Sequence, residues 1–340
     1  MSQAPANLPR RLAGRRPDGH GVDAGDAELL ARIAEDYYVA GRNQQEIADE
    51  LRVSRSYVSR LLDRARTTGV VKITINHPVR TEPALESELK TRYGLQHCVV
   101  VGGRLSRDPT ASLSAAGRAA ADYLLERIRP TDTLGLSWGT AVQALVGAAD
   151  RGHARARHIV QLFGGLSVSV PDISSPDLVR RMGRVLEASF DFLHAPWIVP
   201  GRQLAESLRT QPDVAATLTR AAGADMAVVG IGAIREGSSR LLFNDTYLKP
   251  FELGEFQTAG AVGDICARSF DAHGRPCRLS FDRRIIGLQL TQIRRIPLVI
   301  GVATGSRKAA AIRGALEGKL ISALITDQAA ALAVLRQAER

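Results

Sequence analysis

Residues 44–62, QQEIADELRVSRSYVSRLL, gather hydroxyls, arginines and an aromatic ring along one face of a short helix. Ser54 stands where an N-cap belongs. Arg55, Ser56, Tyr57, Ser59, Arg60 and Arg64 lie on the side left outward when Val58 and Leu61 point inward. Side chains of these types contact phosphates and base edges, and Arg55, Ser56 and Tyr57, nearest the helix start, are best placed for the major groove. Gln44 and Gln45, at the start of the helix before, are placed to donate to the DNA backbone. A second chemistry is legible in LGLSWGT, residues 134–140. A strand that runs through a glycine turn into a helix aims free backbone N–H groups, with the hydroxyls of Ser137 and Thr140, at one spot. That is an anion cradle.

The first set of residues needs two helices crossing near a right angle. Asn43 with Glu46 forms a capping box that opens a helix through Leu51, and Ser54 opens another over 55–67, closed by Gly69. Ala48 is the small residue at the crossing. Ile47, Leu51, Val53, Val58 and Leu61 supply the packing, and Arg52 occupies the turn position where glycine is usual because the backbone there tends to positive φ. An amphipathic helix over 27–39 precedes the pair and a β run over 70–75 follows. Between Arg52 and Lys72 six basic residues face one acid, a net +5. The alternative is an ordinary helical subdomain with a solvated basic face. Crossing residue, packing positions, caps and charge all agree on a helix-turn-helix.

The whole chain has 340 residues and a formal charge of +10, so it has room for about two domains and a bias toward polyanions. With 45% hydrophobic and 24% charged residues it is a folding chain. Three cysteines, none at Cys-x-x-Cys spacing, argue against a disulfide framework or a zinc site, and no cofactor is expected. The longest apolar run, 224–234, is too short to span a bilayer, and no secretory signal opens the chain, so no membrane partner and a cytoplasmic location are expected. Residues 1–25 read as a flexible basic tail.

From Pro83 onward, apolar runs at 98–101, 133–137, 158–163, 225–231, 297–303 and 320–325 alternate with helical stretches at 111–128, 176–190, 214–222, 307–317 and 328–336. The fold class is α/β with a largely parallel sheet. Gly164-Gly165 and Gly230-Ile231-Gly232 each follow a strand, at the carboxyl ends where open α/β sheets bind ligands, and serve either ligand approach or a turn. Asp264, a carboxylate, suits ligand hydroxyls, and Lys308, at a helix start, suits phosphate or hydroxyl oxygens; otherwise they are a surface acid and a surface lysine. Gln161 is a further candidate, and Asp327 is read as the cap of the last helix.

Over residues 27–336 the chain resembles the SorC family of bacterial sugar-responsive transcriptional regulators. The resemblance is carried by YYVAGRNQQEIADELRVSRSYVSRLLDRARTTGVVKITI, by LGLSWGTAV at 134–142, IVQLFGG at 159–165, ADMAVVGIGAI at 224–234, GAVGDICARSFDAHG at 260–274 and GSRKAAAIRGALEGKLISALITDQAAA at 305–331. It implies a sugar-binding domain similar in fold to ribose-phosphate isomerases and glucosamine-phosphate deaminases. In that fold the 137–140 turn holds a phosphate, which implies that Ser137, Trp138, Gly139 and Thr140 contact a phosphorylated sugar. Phe163 stands where a cation would have strengthened anion binding, so a neutral sugar or polyol is the other reading.

The expected organisation is a tail over 1–25, a helix-turn-helix domain over 26–78, a linker helix over 79–94 and an effector domain over 95–340. The expected function is operator binding controlled by a sugar, sugar-phosphate or polyol effector, with double-stranded DNA as partner and a homodimer or homotetramer as the assembly. The alternative is an isomerase-like or deaminase-like enzyme with a DNA-binding appendage. Such chemistry needs a carboxylate or histidine base beside a second titratable group, and no histidine has such a partner at suggestive spacing.

Overall fold

The computed structural model describes residues 24–71, 80–103, 108–149, 154–166 and 174–338. Residues 1–23 of the expected tail and most of the β run at 70–75 lie outside them, while residues 24 and 25, also expected in the tail, are helical. The chain divides into two compact units, Met1–His77 and Pro78–Arg340.

In the smaller unit, α1 (Ala24–Ala34) continues as a π-helical turn, Glu35–Val39, followed by α2 (Gln44–Leu51) and α3 (Arg55–Thr67). The capping box at α2 is complete: Asn43 Oδ1 accepts from the N–H groups of Gln45 and Glu46, and Glu46 Oε2 accepts from the Asn43 N–H at 2.9 Å. Arg52 adopts the left-handed conformation, φ 54°, that the turn demands. Ser54 Oγ caps α3 by accepting from the Tyr57 N–H. Ile47, Ala48, Val58, Leu61, Leu62 and Ala65 close over Leu30 and Ile33 in one small core.

The larger unit opens with α4 (Pro83–Tyr93), the helix expected as a linker. Leu89 is wholly buried in this unit's core and Glu86 accepts from the Val100 N–H, so α4 is an integral part of the unit. The strands β1 (His97–Val101), β2 (Thr133–Leu136), β3 (His158–Gln161), β4 (Ser189–Asp191), β5 (Met226–Gly230), β9 (Leu298–Val302) and β10 (Ala323–Asp327) form one parallel sheet in the order β1-β10-β9-β5-β2-β3-β4. Between β5 and β9, β6 (Gly232–Ala233), β7 (Ala261–Ile265) and β8 (Arg268–Asp271) form a small antiparallel sheet. Helices cover the parallel sheet, among them α5 (Pro109–Arg127) and α6 (Thr140–Ala148).

Two differences from the sequence reading are physical. The helix expected to reach residue 190 ends at Val185; Glu187 takes a positive φ of 49°, and Ser189–Asp191 then pairs with His158–Val160 as the edge strand β4. The β7–β8 hairpin went unread because its turn is Cys266-Ala267, both at positive φ, where Asn-Gly is the usual signal.

The topology fixes where a ligand crevice belongs. From β2 the chain proceeds outward to β3 and β4; from β5, paired with β2 through Leu134 and Met226, it proceeds the other way to β9 and β10. The carboxyl ends of β2 and β5 therefore form the switch point of the sheet.

Candidate functional site

On the smaller unit the start of α3 is open. Arg52, Ser54, Arg55, Ser56 and Arg60 are exposed; Ser59 and Tyr57 are half-buried, with Tyr57 packed against the helical core. The Arg60 guanidinium lies over the Tyr57 ring at 5.7 Å, a cation–π pair on the outer side of the helix. Arg64 differs from the other residues expected on DNA: its Nη2 bonds Asp26 Oδ2 at 2.9 Å, which compensates its charge within the unit and ties α3 to α1. Arg66 is likewise paired with Asp63. Among the described residues no ion pair engages Arg52, Arg55 or Arg60. Of the two glutamines, Gln44 is half-buried and Gln45 is exposed, its amide donating to Asp49 at 2.7 Å. Arg52, read from sequence as a turn residue and part of the basic cluster but not as a DNA contact, joins the exposed cations.

On the larger unit a cavity sits at the switch point. After β2 it is walled by Ser137, Trp138, Gly139 and Thr140, and after β5 by Gly230, Ile231 and Gly232. Asp264 of β7 and Lys308 complete its polar side. Gly139, at φ 130°, begins α6 without a side-chain cap. The first intrahelical bond runs from the Gln143 N–H to the Gly139 carbonyl, which leaves the N–H groups of residues 140–142 without helical acceptors. The dipole of α6 adds partial positive charge there.

Asp264 is buried, and burial pushes its carboxyl up to about 6; the Ser239 hydroxyl, donating to Oδ1 at 2.6 Å, and the Lys308 ammonium oppose that rise. Burial also lowers the Lys308 ammonium below its ordinary value, against the pull of Asp264 and Asp327. Asp327 caps the last helix as expected, accepting from the Ala330 N–H. It also holds the turn that carries Lys308, through the Gly305 N–H at 3.0 Å, and accepts from Ser112 at 2.7 Å.

Gln161, Gly164 and Gly165 depart from expectation, because none of them lines the cavity. Both ends of the Gln161 amide serve backbone, Nε2 donating to Phe163 O at 2.6 Å and Oε1 accepting from the Leu193 N–H. A side chain at Gly164 would collide with the Pro196 backbone, and Gly165 exchanges backbone bonds with Ala195 and Trp197. These residues position the crossing of β3 with the 195–197 segment. Sequence reasoning missed Ser238, Ser239, Leu242, Cys266 and Ala267 on the cavity wall. The cavity itself is tight, about 30 Å³, against roughly 300 Å³ or more for most ligand pockets.

Comparison with known proteins follows the same division. Residues 77–336 match the family model described as "Putative sugar-binding domain", and residues 31–68 match that for sigma-70, region 4. The chain is 34% identical over 320 residues to the transcriptional regulator LsrR of Klebsiella pneumoniae subsp. pneumoniae, covering 93% of this chain and 95% of that protein. It is 31% identical to the deoxyribonucleoside regulator of Bacillus subtilis, over 92% of this chain and 99% of that one. The crystal structure of the full-length sorbitol operon regulator SorC from Klebsiella pneumoniae superposes with a TM-score of 0.69 at 26% identity, over 92% of this chain and all of that one. These relatives are transcriptional regulators and lend no support to the isomerase or deaminase alternative. The chain belongs to the SorC family of sugar-binding transcriptional regulators.

Proposed function

We propose that this regulator binds operator DNA through the start of α3 and is controlled by a phosphorylated sugar held in the switch-point cavity. The observation that carries the effector class is the convergence of the uncapped α6 start and Lys308 on one cavity that also presents Asp264. Three N–H groups at a positive helix end, with an ammonium, suit a phosphate; a carboxylate opposite suits sugar hydroxyls. DNA recognition belongs to residues 26–78 and effector binding to 95–340, with Arg55, Ser56 and the Arg60–Tyr57 pair reading the groove and Arg52 on phosphate.

A cavity this tight admits a sugar only after part of its wall moves. Among the described residues the short helix Ser239–Leu242 reaches β7 through one side-chain hydrogen bond, Ser239 to Asp264, and an effector that engages Asp264 competes for that bond. Control of DNA binding then requires the effector to favour one arrangement of the regulator over another. A single helix-turn-helix secures few contacts, so a homodimer or homotetramer on paired half-sites is the expected assembly. Among the described residues no helix is long and apolar enough to cross a membrane, and cytoplasmic action on DNA fits the reading.

The test is a thermal-shift panel of ribose 5-phosphate, deoxyribose 5-phosphate, glucose 6-phosphate and fructose 6-phosphate with their unphosphorylated sugars. Native-state binding raises the melting temperature by mass action. At least one phosphate should raise it above its free sugar, and Thr140→Val should remove that difference. A shift from free sugars alone would transfer the reading to a neutral effector.

A further inference from the structure

Along β8 lies a second cavity, of about 190 Å³, walled by Arg268, Ser269, Asp282 and Gln289 on its polar side and by Pro276 and Leu290 on its apolar side. Two polar atoms on that wall, Ser269 Oγ and Asp282 Oδ1, are buried without a protein hydrogen-bond partner. Ser269 is only 2% exposed. The other Asp282 oxygen accepts from the Leu279 N–H at 3.1 Å, while the Arg268 guanidinium spends its donors on the carbonyls of Asp282, Ile285 and Leu288 at 2.7, 3.1 and 3.3 Å.

Buried carboxylate oxygens and hydroxyls without partners are costly, so a molecule that supplies hydroxyl donors there gains affinity. The charge of Arg268 offsets that of Asp282, which favours a neutral occupant: an anion would face the carboxylate and a cation the guanidinium. Pro276 and Leu290 suit a C–H face. At about 30 Å³ per water the space equals roughly six waters, the size of a four- or five-carbon polyol. We propose that this cavity is a second small-molecule site, taking a neutral polyhydroxy compound of four or five carbons on Ser269 and Asp282.

The site is wired to the first cavity. Residues 266 and 267 line the switch-point cavity, and the next two line this one. Arg268 also clamps the 282–288 segment, whose Leu288 N–H donates to Leu162 O at 3.0 Å and whose Ile286 O accepts from the Gly164 N–H at 2.9 Å. Gly287 bridges Phe163, which lines the first cavity. Ligands in the two cavities thus touch one continuous β7–β8 segment, and any coupling between them is reciprocal. Only this coupling rests on reading the first cavity as the effector site; the binding itself does not.

The experiment is saturation-transfer NMR titration of the full chain with ribitol. Saturable binding is expected, weakened about tenfold by Ser269→Ala, as loss of one hydrogen bond implies, and unchanged in Thr140→Val. A crystal of the unsubstituted protein soaked in ribitol should show hydroxyls within bonding distance of Ser269 Oγ and Asp282 Oδ1, whatever the fate of the variants. No saturable binding, density elsewhere, or binding that Thr140→Val removes and Ser269→Ala leaves intact would overturn the proposal. A sugar-phosphate panel insensitive to Thr140→Val would instead count against the effector reading and leave the ribitol result standing.

Discussion

Ser239 donates its hydroxyl proton to Asp264 Oδ1 at 2.6 Å, and both residues are buried against Gly232, where any Cβ would strike them. This hydrogen bond joins the 239–242 helix to β7 at the wall of the switch-point cavity. Replacing Ser239 by alanine leaves a buried carboxyl without its side-chain donor, a cost of about 1–2 kcal/mol. Urea unfolding of the Ser239→Ala chain at pH 7.5 should show that loss, and Ser239→Thr should recover part of it. Equal stability of the alanine variant and the unsubstituted chain would mean that the bond holds nothing.

Asp264 sets a pH dependence whose sign is fixed. Its folded-state acidity, about 6, lies above the ordinary 3.8, so between those values the folded chain keeps a proton that the unfolded chain releases. Stability from this group is full below about pH 4 and is lost as pH rises through 6. Asp264→Asn keeps the neutral form throughout. It should match the unsubstituted chain near pH 4 and melt higher at pH 7.5, by at most about 3 kcal/mol of stability for two pK units, while losing effector affinity. A stability gap that fails to widen between pH 4 and 7 would contradict the burial of this carboxyl.

Among the described residues Arg52, Arg55 and Arg60 form no ion pair while Arg64 does, and the two sets are expected to differ on DNA. Arg55→Ala and Arg60→Ala should each weaken operator binding in fluorescence anisotropy by about 1–3 kcal/mol and relax sequence preference, whereas Arg52→Ala should weaken binding to all sequences alike and lower the salt slope of log Kd by about 1. Arg64→Ala should cost under 1 kcal/mol of stability, because Arg64 and Asp26 are 46% and 47% exposed, and should act on DNA no more than Asp26→Asn does. Arg64→Ala matching Arg55→Ala on DNA would return Arg64 to the recognition surface.

The smaller unit was legible almost residue by residue, because its signals are local. Asn43 and Glu46 stand three apart, Ser54 precedes its helix, and Arg52 sits where the left-handed turn must fall. In the larger unit the strand-turn-helix at 137–140 carries its own signature, and Asp264 and Lys308 stood out as charges beside glycine turns. Ser239 and Cys266 carried no such mark. They reach the cavity only because β5 and β9 are neighbours in the sheet while about 70 residues apart in the chain, and the inserted β6–β8 sheet fills the interval. Gln161 and Gly164 misled for the converse reason: they end a strand at the correct edge of the sheet, but β3 lies one place beyond the switch point.

Effector control of operator binding is tested most directly by fluorescence anisotropy of the full chain on a DNA fragment it selects from its own genome, with and without the sugar phosphate that gives the largest thermal shift. The effector should change the operator Kd at least fivefold, about 1 kcal/mol of coupling, and Lys308→Ala should abolish that change while operator binding without effector persists. An operator Kd indifferent to every sugar phosphate, or a response that survives in Lys308→Ala, would contradict the switch-point cavity as the seat of control.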